Sequence, residues 1–132
     1  MIERLGLSRS FILLGDVDEK ALESLYGCAD VFVLPSIQEG QGIALLEAQS
    51  TGKPVVAFNV SGVKEAVADG ESGLLLEVGN SEMLANTIVK LLCDETLREE
   101  MGKAGREYVK KNFTWDICAK KMLKVYHEAI DG

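Results

Sequence analysis

Continuous apolar runs alternate with helix-spaced apolar stripes along the first three fifths of this chain. Ser10 to Gly15 and Ala29 to Leu34 read as short buried strands, as do the valine-rich Pro54 to Phe58 and then Gly73 to Glu77. Between the first two, Asp18 is placed to cap a helix whose apolar positions Leu22, Leu25 and Tyr26 recur at helical spacing. Gly42 to Ser50 forms the next helix, which Gly52 ends. Unbroken apolar strands separated by helices are the pattern of a parallel sheet covered on both faces. The expectation is therefore an open, doubly wound α/β sheet of about four strands, with ligands bound beyond the strands' carboxyl ends.

From Asn80 the pattern becomes helical throughout. Asn80 or Ser81 is placed to cap Glu82 to Cys93, Asp94 to cap a helix reaching about Lys111, and Thr114 to open the last helix. In that last helix Trp115, Cys118, Ala119, Met122, Tyr126 and Ile130 share one stripe, while Lys120, Lys121, Lys124 and Glu128 lie largely off it. Such a stripe predicts docking on the chain's own sheet.

Length and composition narrow the choice of partner. The 132 residues fit a single domain, 1–132, able to bury roughly two thirds of its unfolded surface. A balance of 21 acidic to 14 basic residues, net −7, argues against a nucleic acid or an anionic membrane surface, both of which need a basic face. Cys28, Cys93 and Cys118 contain no Cys-x-x-Cys pair, and His127 is the only histidine, so neither a zinc site nor a disulfide framework is supported. A reducing, cytoplasmic setting follows, with Cys28 and Cys93 read as core fillers and His127 as an exposed helix residue. Phe11 to Leu14 is too short for a signal segment, and no stretch approaches the ~20 apolar residues of a membrane span.

The candidate chemistry lies in Glu39-Gly40-Gln41-Gly42-Ile43-Ala44-Leu45-Leu46-Glu47. The spacing places Glu39 in a glycine-flexible loop beyond a strand and Glu47 about one turn inside the next helix, so that both carboxylates can face one crevice. Between them lie the free N–H groups of a helix N-terminus, a ready anion site. Hydroxyl acceptors on either side of a phosphate cradle match the polarity of a nucleoside diphosphate sugar.

Glu39 and Glu47 with seven residues between them stand among further blocks: Ala29 to Ser36, Gly52-Lys53-Pro54-Val55-Val56, Ser61 to Glu65, and Asp69 to Leu75. Taken in order, these resemble the C-terminal, donor-binding domain of retaining GT-B glycosyltransferases (glycosyl transferases group 1, family-4-like) over nearly the whole chain. The resemblance implies a Rossmann-like sheet, the second half of such a donor domain, that lacks its first strands and the N-terminal acceptor domain. The Arg and Lys that neutralise the diphosphate would then lie outside the chain, in the missing domain or a partner subunit. Met1-Ile2-Glu3-Arg4, falling inside what should be a helix, suggests a cut, the alternative being a natural short chain. The missing strands would lie between Ser10–Gly15 and Ala29–Leu34, so either the first strand moves beside the second or their edges stay exposed and invite a homo-oligomer. The resemblance also offers the last helix an alternative place, against the other domain.

Each site residue has a plain alternative. Glu39 would accept hydroxyls of the donor sugar, the alternative being a solvated loop carboxylate, and Glu47 would accept from ribose hydroxyls, the alternative being a helix-surface glutamate. The backbone N–H groups of Gln41, Gly42, Ile43 and Ala44 would face sugar and diphosphate, or else form a simple strand-to-helix turn. By resemblance Gly15-Asp16-Val17 lines the nucleobase, with Val17 giving main-chain contacts. Ser36 is within reach of the site or serves the turn. Lys53 and Lys64 read as solvated surface charges. Asp16-Val17-Asp18 spells a metal-binding Asp-x-Asp, but Asp18 is accounted for as a helix cap and no metal is expected. Gly40-x-Gly42 hints at a dinucleotide fingerprint whose third glycine would fall at Leu45, which disfavours a nicotinamide site. His127 has no Ser or Cys arrangement around it.

These readings imply the donor-binding part of an enzyme that moves a hexosyl group from a nucleotide diphosphate sugar to an acceptor hydroxyl with retention. No cofactor is needed beyond the donor itself. Two carboxylates would contribute roughly 3–6 kcal/mol, close to millimolar binding, so turnover would need the missing half. The alternative is a non-catalytic module that binds nucleotide sugar or docks a partner, and a related sugar-nucleotide epimerase is disfavoured because the blocks follow the transferase pattern.

Overall fold

Val55, Val56 and Ala57 are wholly shielded from solvent and Phe58 nearly so, which makes strand β2 (Val55–Phe58) the axis of the molecule. In the computed structural model, which describes residues 1–131, β2 pairs in parallel with β1 (Phe32–Leu34) and with β3 (Gly73–Leu76). The order is β1-β2-β3, and the register sets Val33 beside Val56 and Val56 beside Leu74. Successive side chains point to opposite faces, so β2 feeds two cores. Val55 and Ala57 join Tyr26, Leu45, Ala48 and Val63 on one face, and Val56 and Phe58 join Leu76, Leu91 and Met101 on the other. Burying a leucine such as Leu45 or Leu91 completely contributes about 1.5–3 kcal/mol.

Helices α1 (Glu19–Cys28) and α2 (Ile43–Ser50) belong to the first face, α3 (Ser81–Cys93) and α4 (Glu95–Asn112) to the second, and α5 (Trp115–Asp131) follows. This is the parallel sheet with helices on both faces that the apolar pattern predicts. The starts of α1, α3 and α4 follow from their caps. Asp18 Oδ1 accepts from Ala21 N at 2.8 Å, Asn80 Oδ1 from Met83 N at 2.9 Å, and Asp94 Oδ1 from Leu97 N at 2.9 Å. Asp18 therefore caps α1, as its position predicts.

Four expectations need correction. The sheet has three strands, because Ser10–Gly15 forms none: Phe11 and Leu14 are about half exposed, and Ile12 and Leu13 are 83% and 82% exposed. A strand needs a hydrogen-bonded neighbour, and an apolar run without one leaves its backbone to water. Both arrangements considered for its edges presuppose a strand there, so neither applies, and β1 is an edge of the sheet. The second strand begins at Phe32 rather than Ala29. Cys28 and Cys93 are exposed rather than core, each being the last residue of its helix, and Cys118 is exposed as well. The stripe of α5 does not dock on the sheet: α5 leans on α4, and Trp115, Tyr126 and Ile130 are 90%, 57% and 79% exposed. Of the expected domain, only Gly132 lies outside the described residues, among which no helix is long and apolar enough to cross a membrane.

Helix α4 runs against α2 at a point with no room for a side chain. A Cβ on Gly102 would overlap the carbonyl oxygen of Gly52. Helix propensity alone would favour Gly102→Ala by about 1 kcal/mol, whereas a forced overlap costs about 1–3 kcal/mol. The overlap is with backbone and should win. Gly102→Ala is expected to lower the urea midpoint with an unchanged slope, and a raised midpoint would mean that the two helices have room to part.

Candidate functional site: the loop after β1 and the N-terminus of α2

Beyond β1 the chain runs through Pro35 and a loop to Gly42, where α2 begins. Gly42 has φ +65° and ψ 40°, a left-handed conformation that a side chain disfavours. Its carbonyl accepts from Leu45 N at 2.9 Å and Leu46 N at 3.4 Å, which starts the helix. Unlike Asp18, Asn80 and Asp94, Gly42 brings no side chain to cap the helix. The first N–H groups of α2, those of Ile43 and Ala44 among them, have no acceptor within the helix and are free for an anion.

Glu39 precedes this terminus, half-buried, with its carboxylate Oε1 accepting from Gly40 N at 3.1 Å. Its position is set from across the molecule, because a Cβ at Gly62 would overlap the carbonyl oxygens of Glu39 and Gly40. The loop carrying Gly62 is in turn tied to α2 by Gln49. That side chain is fully buried and its Nε2 donates to Leu45 O at 3.0 Å and Ala66 O at 2.8 Å.

Glu47 stands one turn along α2, between two clefts. One, of about 290 Å³, is lined by Glu19, Leu22, Glu23, Tyr26, Glu47, Ser50 and Thr51 on the α1 side. The other, of about 430 Å³, is more apolar and reaches Gln41, Ile43 and Leu46 of the site and Val109, Phe113 and Trp115 beyond it. Neither is lined by a lysine or an arginine. Gln41, Ile43 and Glu47 are thus brought together, Gly42 is buried beneath them, and Ala44 is half-buried. Val17 sits apart from these clefts, 39% exposed, just before the cap of α1.

One participant escaped the sequence reading. The Tyr26 hydroxyl donates to Glu47 Oε2 at 3.0 Å. Tyr26 appeared as an apolar position of a helical stripe, yet a phenol on a buried stripe needs a partner, and that requirement was the available signal. Burial first, then the hydrogen bond to Glu47 and that carboxylate's charge, push the phenol up to about 12.

The family of glycosyl transferases group 1 matches residues 1–108. The chain belongs to this family. A D-inositol 3-phosphate glycosyltransferase of Corynebacterium diphtheriae is 39% identical over 125 residues, covering 95% of this chain and 29% of that protein. Sucrose-phosphate synthase from Thermosynechococcus elongatus superposes with a TM-score of 0.90 at 32% identity, over 98% of this chain and 33% of its own. Anabaena HepE, solved in complex with UDP-glucose, superposes with a TM-score of 0.87 at 26% identity, over 96% of this chain and 35% of its own. The chain matches the mixed α/β C-terminal domains of GT-B glycosyltransferases and spans about a third of these neighbours' length.

Two outcomes are expected of this member of the family. Gly62→Ala must push the Glu39–Gly40 backbone away, so the amide resonances of those residues should move most and stability should fall by about 1–3 kcal/mol. An unperturbed Glu39 would mean that the two loops do not touch. Raising the pH tests Tyr26. Its folded-state value near 12 lies above the ordinary 10.0, so its contribution is intact below pH 10 and is lost as pH rises toward 12, where the unfolded state sheds the proton first. Tyr26→Phe should flatten that part of the stability profile, and an unchanged profile would contradict the assignment.

Proposed function

We propose that this chain is the donor-binding part of a retaining glycosyltransferase that transfers a hexosyl group from a nucleoside diphosphate sugar to an acceptor hydroxyl. The observation that carries the reading is the uncapped N-terminus of α2, opened by Gly42 and flanked by Glu39 and Glu47. The N–H groups of Gln41, Gly42, Ile43 and Ala44 take the diphosphate and the adjoining sugar, with the helix dipole favouring their negative charge. Glu39 accepts hydroxyls of the transferred sugar and acts as the catalytic positioning carboxylate, holding the anomeric carbon where leaving diphosphate and incoming hydroxyl meet. Glu47 accepts ribose hydroxyls, and Val17 gives the nucleobase main-chain contacts. Rate enhancement comes from positioning and from stabilising the departing diphosphate.

The rest of the enzyme is part of this reading. With no lysine or arginine lining either cleft and a net charge of −7, the cations for the diphosphate come from an N-terminal domain or a partner subunit. The open edge of β1, the exposed Phe11–Leu14 run and the exposed stripe of α5 are the surfaces it would cover, a second copy being the other occupant of the sheet edge. Three free, exposed cysteines fit a reducing cytoplasmic location. The same lack of lining cations favours a second reading, a non-catalytic module that binds nucleotide sugar or docks a partner.

Calorimetric titration with UDP, GDP and ADP sugars tests the proposal. One donor is expected to bind near millimolar affinity, and Glu39→Ala and Glu47→Ala should each weaken it by about 10- to 100-fold, the worth of a hydrogen bond to a charged group. A bound donor indifferent to both substitutions would overturn the site. A folded chain that binds none at millimolar concentration would overturn a self-standing site.

A further inference from the structure

Glu47 is exposed on α2 and lines both clefts, so its carboxylate has a choice of side. Tyr26 removes that choice. The residue is 9% exposed, and its ring packs edge-on against Phe32 of β1, with centroids 5.4 Å apart and planes at 69°. The ring is therefore located by the seating of α1 on the sheet, and its hydroxyl reaches Glu47 Oε2 at 3.0 Å from the α1 side. We infer that Tyr26 is a positioning residue, which holds the Glu47 carboxylate over the α1-side cleft in the orientation that receives the two neighbouring hydroxyls of a ribose; this rests on the donor-site reading above.

The stoichiometry of lone pairs supports it. An ionised carboxylate offers about four acceptor sites, of which the phenol takes one on Oε2. Oε1 and the remaining lone pair of Oε2 stay free, a spacing suited to a vicinal diol. The rest of the cleft agrees with a neutral polyol and not with a phosphate, because Glu19 and Glu23 join Glu47 in its wall and would repel a second anion. Phosphate is thereby directed to the N–H groups of α2, and the ribose to the acidic cleft. Holding Glu47 in advance also spares the ligand the cost of ordering a flexible side chain.

Tyr26→Phe keeps the ring and its packing and removes only the hydroxyl, so a change in binding would not reflect unfolding. The experiment compares UDP with 2′,3′-dideoxy-UDP on the whole chain, with wild type, Tyr26→Phe, Glu47→Ala and the double variant. Tyr26→Phe is expected to weaken UDP by about 3- to 10-fold, to leave the dideoxy nucleotide unchanged, and to add nothing in the Glu47→Ala background. Equal losses for both nucleotides, a loss that persists without Glu47, or no loss would overturn the inference. If UDP binding does not respond to Glu47→Ala, the donor-site reading fails; if it responds to Glu47 but not to Tyr26, only the positioning role fails. A measurement without ligand stands beside these. The side-chain relaxation of Glu47 should show an ordered carboxyl arm in wild type and an averaged one in Tyr26→Phe, and identical order in both would refute the role.

Discussion

Gln49, fully buried in α2, donates both amide hydrogens, one back to Leu45 O within the helix and one across to Ala66 O. That second bond ties α2 to the loop carrying Gly62, and Gly62 is where the Glu39–Gly40 backbone comes to rest. On its other side α2 meets α4, whose Gly105 leaves space for the Gln49 side chain and whose Gly102 lies against Gly52. The helix is held from several directions, so its N-terminus can be left without a side-chain cap. Gln49 Oε1 meets no hydrogen-bond partner among the described residues, a cost of about 1–3 kcal/mol that the rest of the seating must offset.

The site is therefore a consequence of packing rather than of local stability. Helices α1, α3 and α4 stabilise their own first turns with Asp18, Asn80 and Asp94, whereas α2 begins on a glycine. An orphan helix terminus costs stability unless something else satisfies it. Anabaena HepE, on which this chain superposes, has been solved with UDP-glucose, and an anionic ligand is the partner that the donor-site proposal supplies. Elsewhere the molecule leaves apolar surface open, at Phe11–Leu14 and along α5.

Much of this was legible in the residues. Each cap is a short polar side chain three residues before the N–H it accepts from, and β2 and β3 lie in unbroken apolar runs, so these helices and the sheet follow from local chemistry. The Glu39 to Glu47 segment was visible because glycines in a strand-to-helix turn are themselves a signal. What failed to show depends on partners distant in sequence. Ser10–Gly15 has the composition of a strand but no neighbour to pair with, and the α5 stripe has the periodicity of a packed face without a covering surface. Tyr26 and Gly62 act through contacts with Glu47 and Glu39, 21 and 23 positions away, and nothing in their immediate sequence names those partners.

The central claim is that a nucleotide's diphosphate sits on the open turn of α2. It is tested most directly by following backbone amide resonances as UDP is added to the isotopically labelled chain. The account predicts that the N–H signals of Gln41, Gly42, Ile43 and Ala44 move first and furthest, while the capped starts of α3 and α4 at Glu82 and Glu95 stay still. Shifts centred on α3 or α4, with the turn of α2 unmoved, would contradict it.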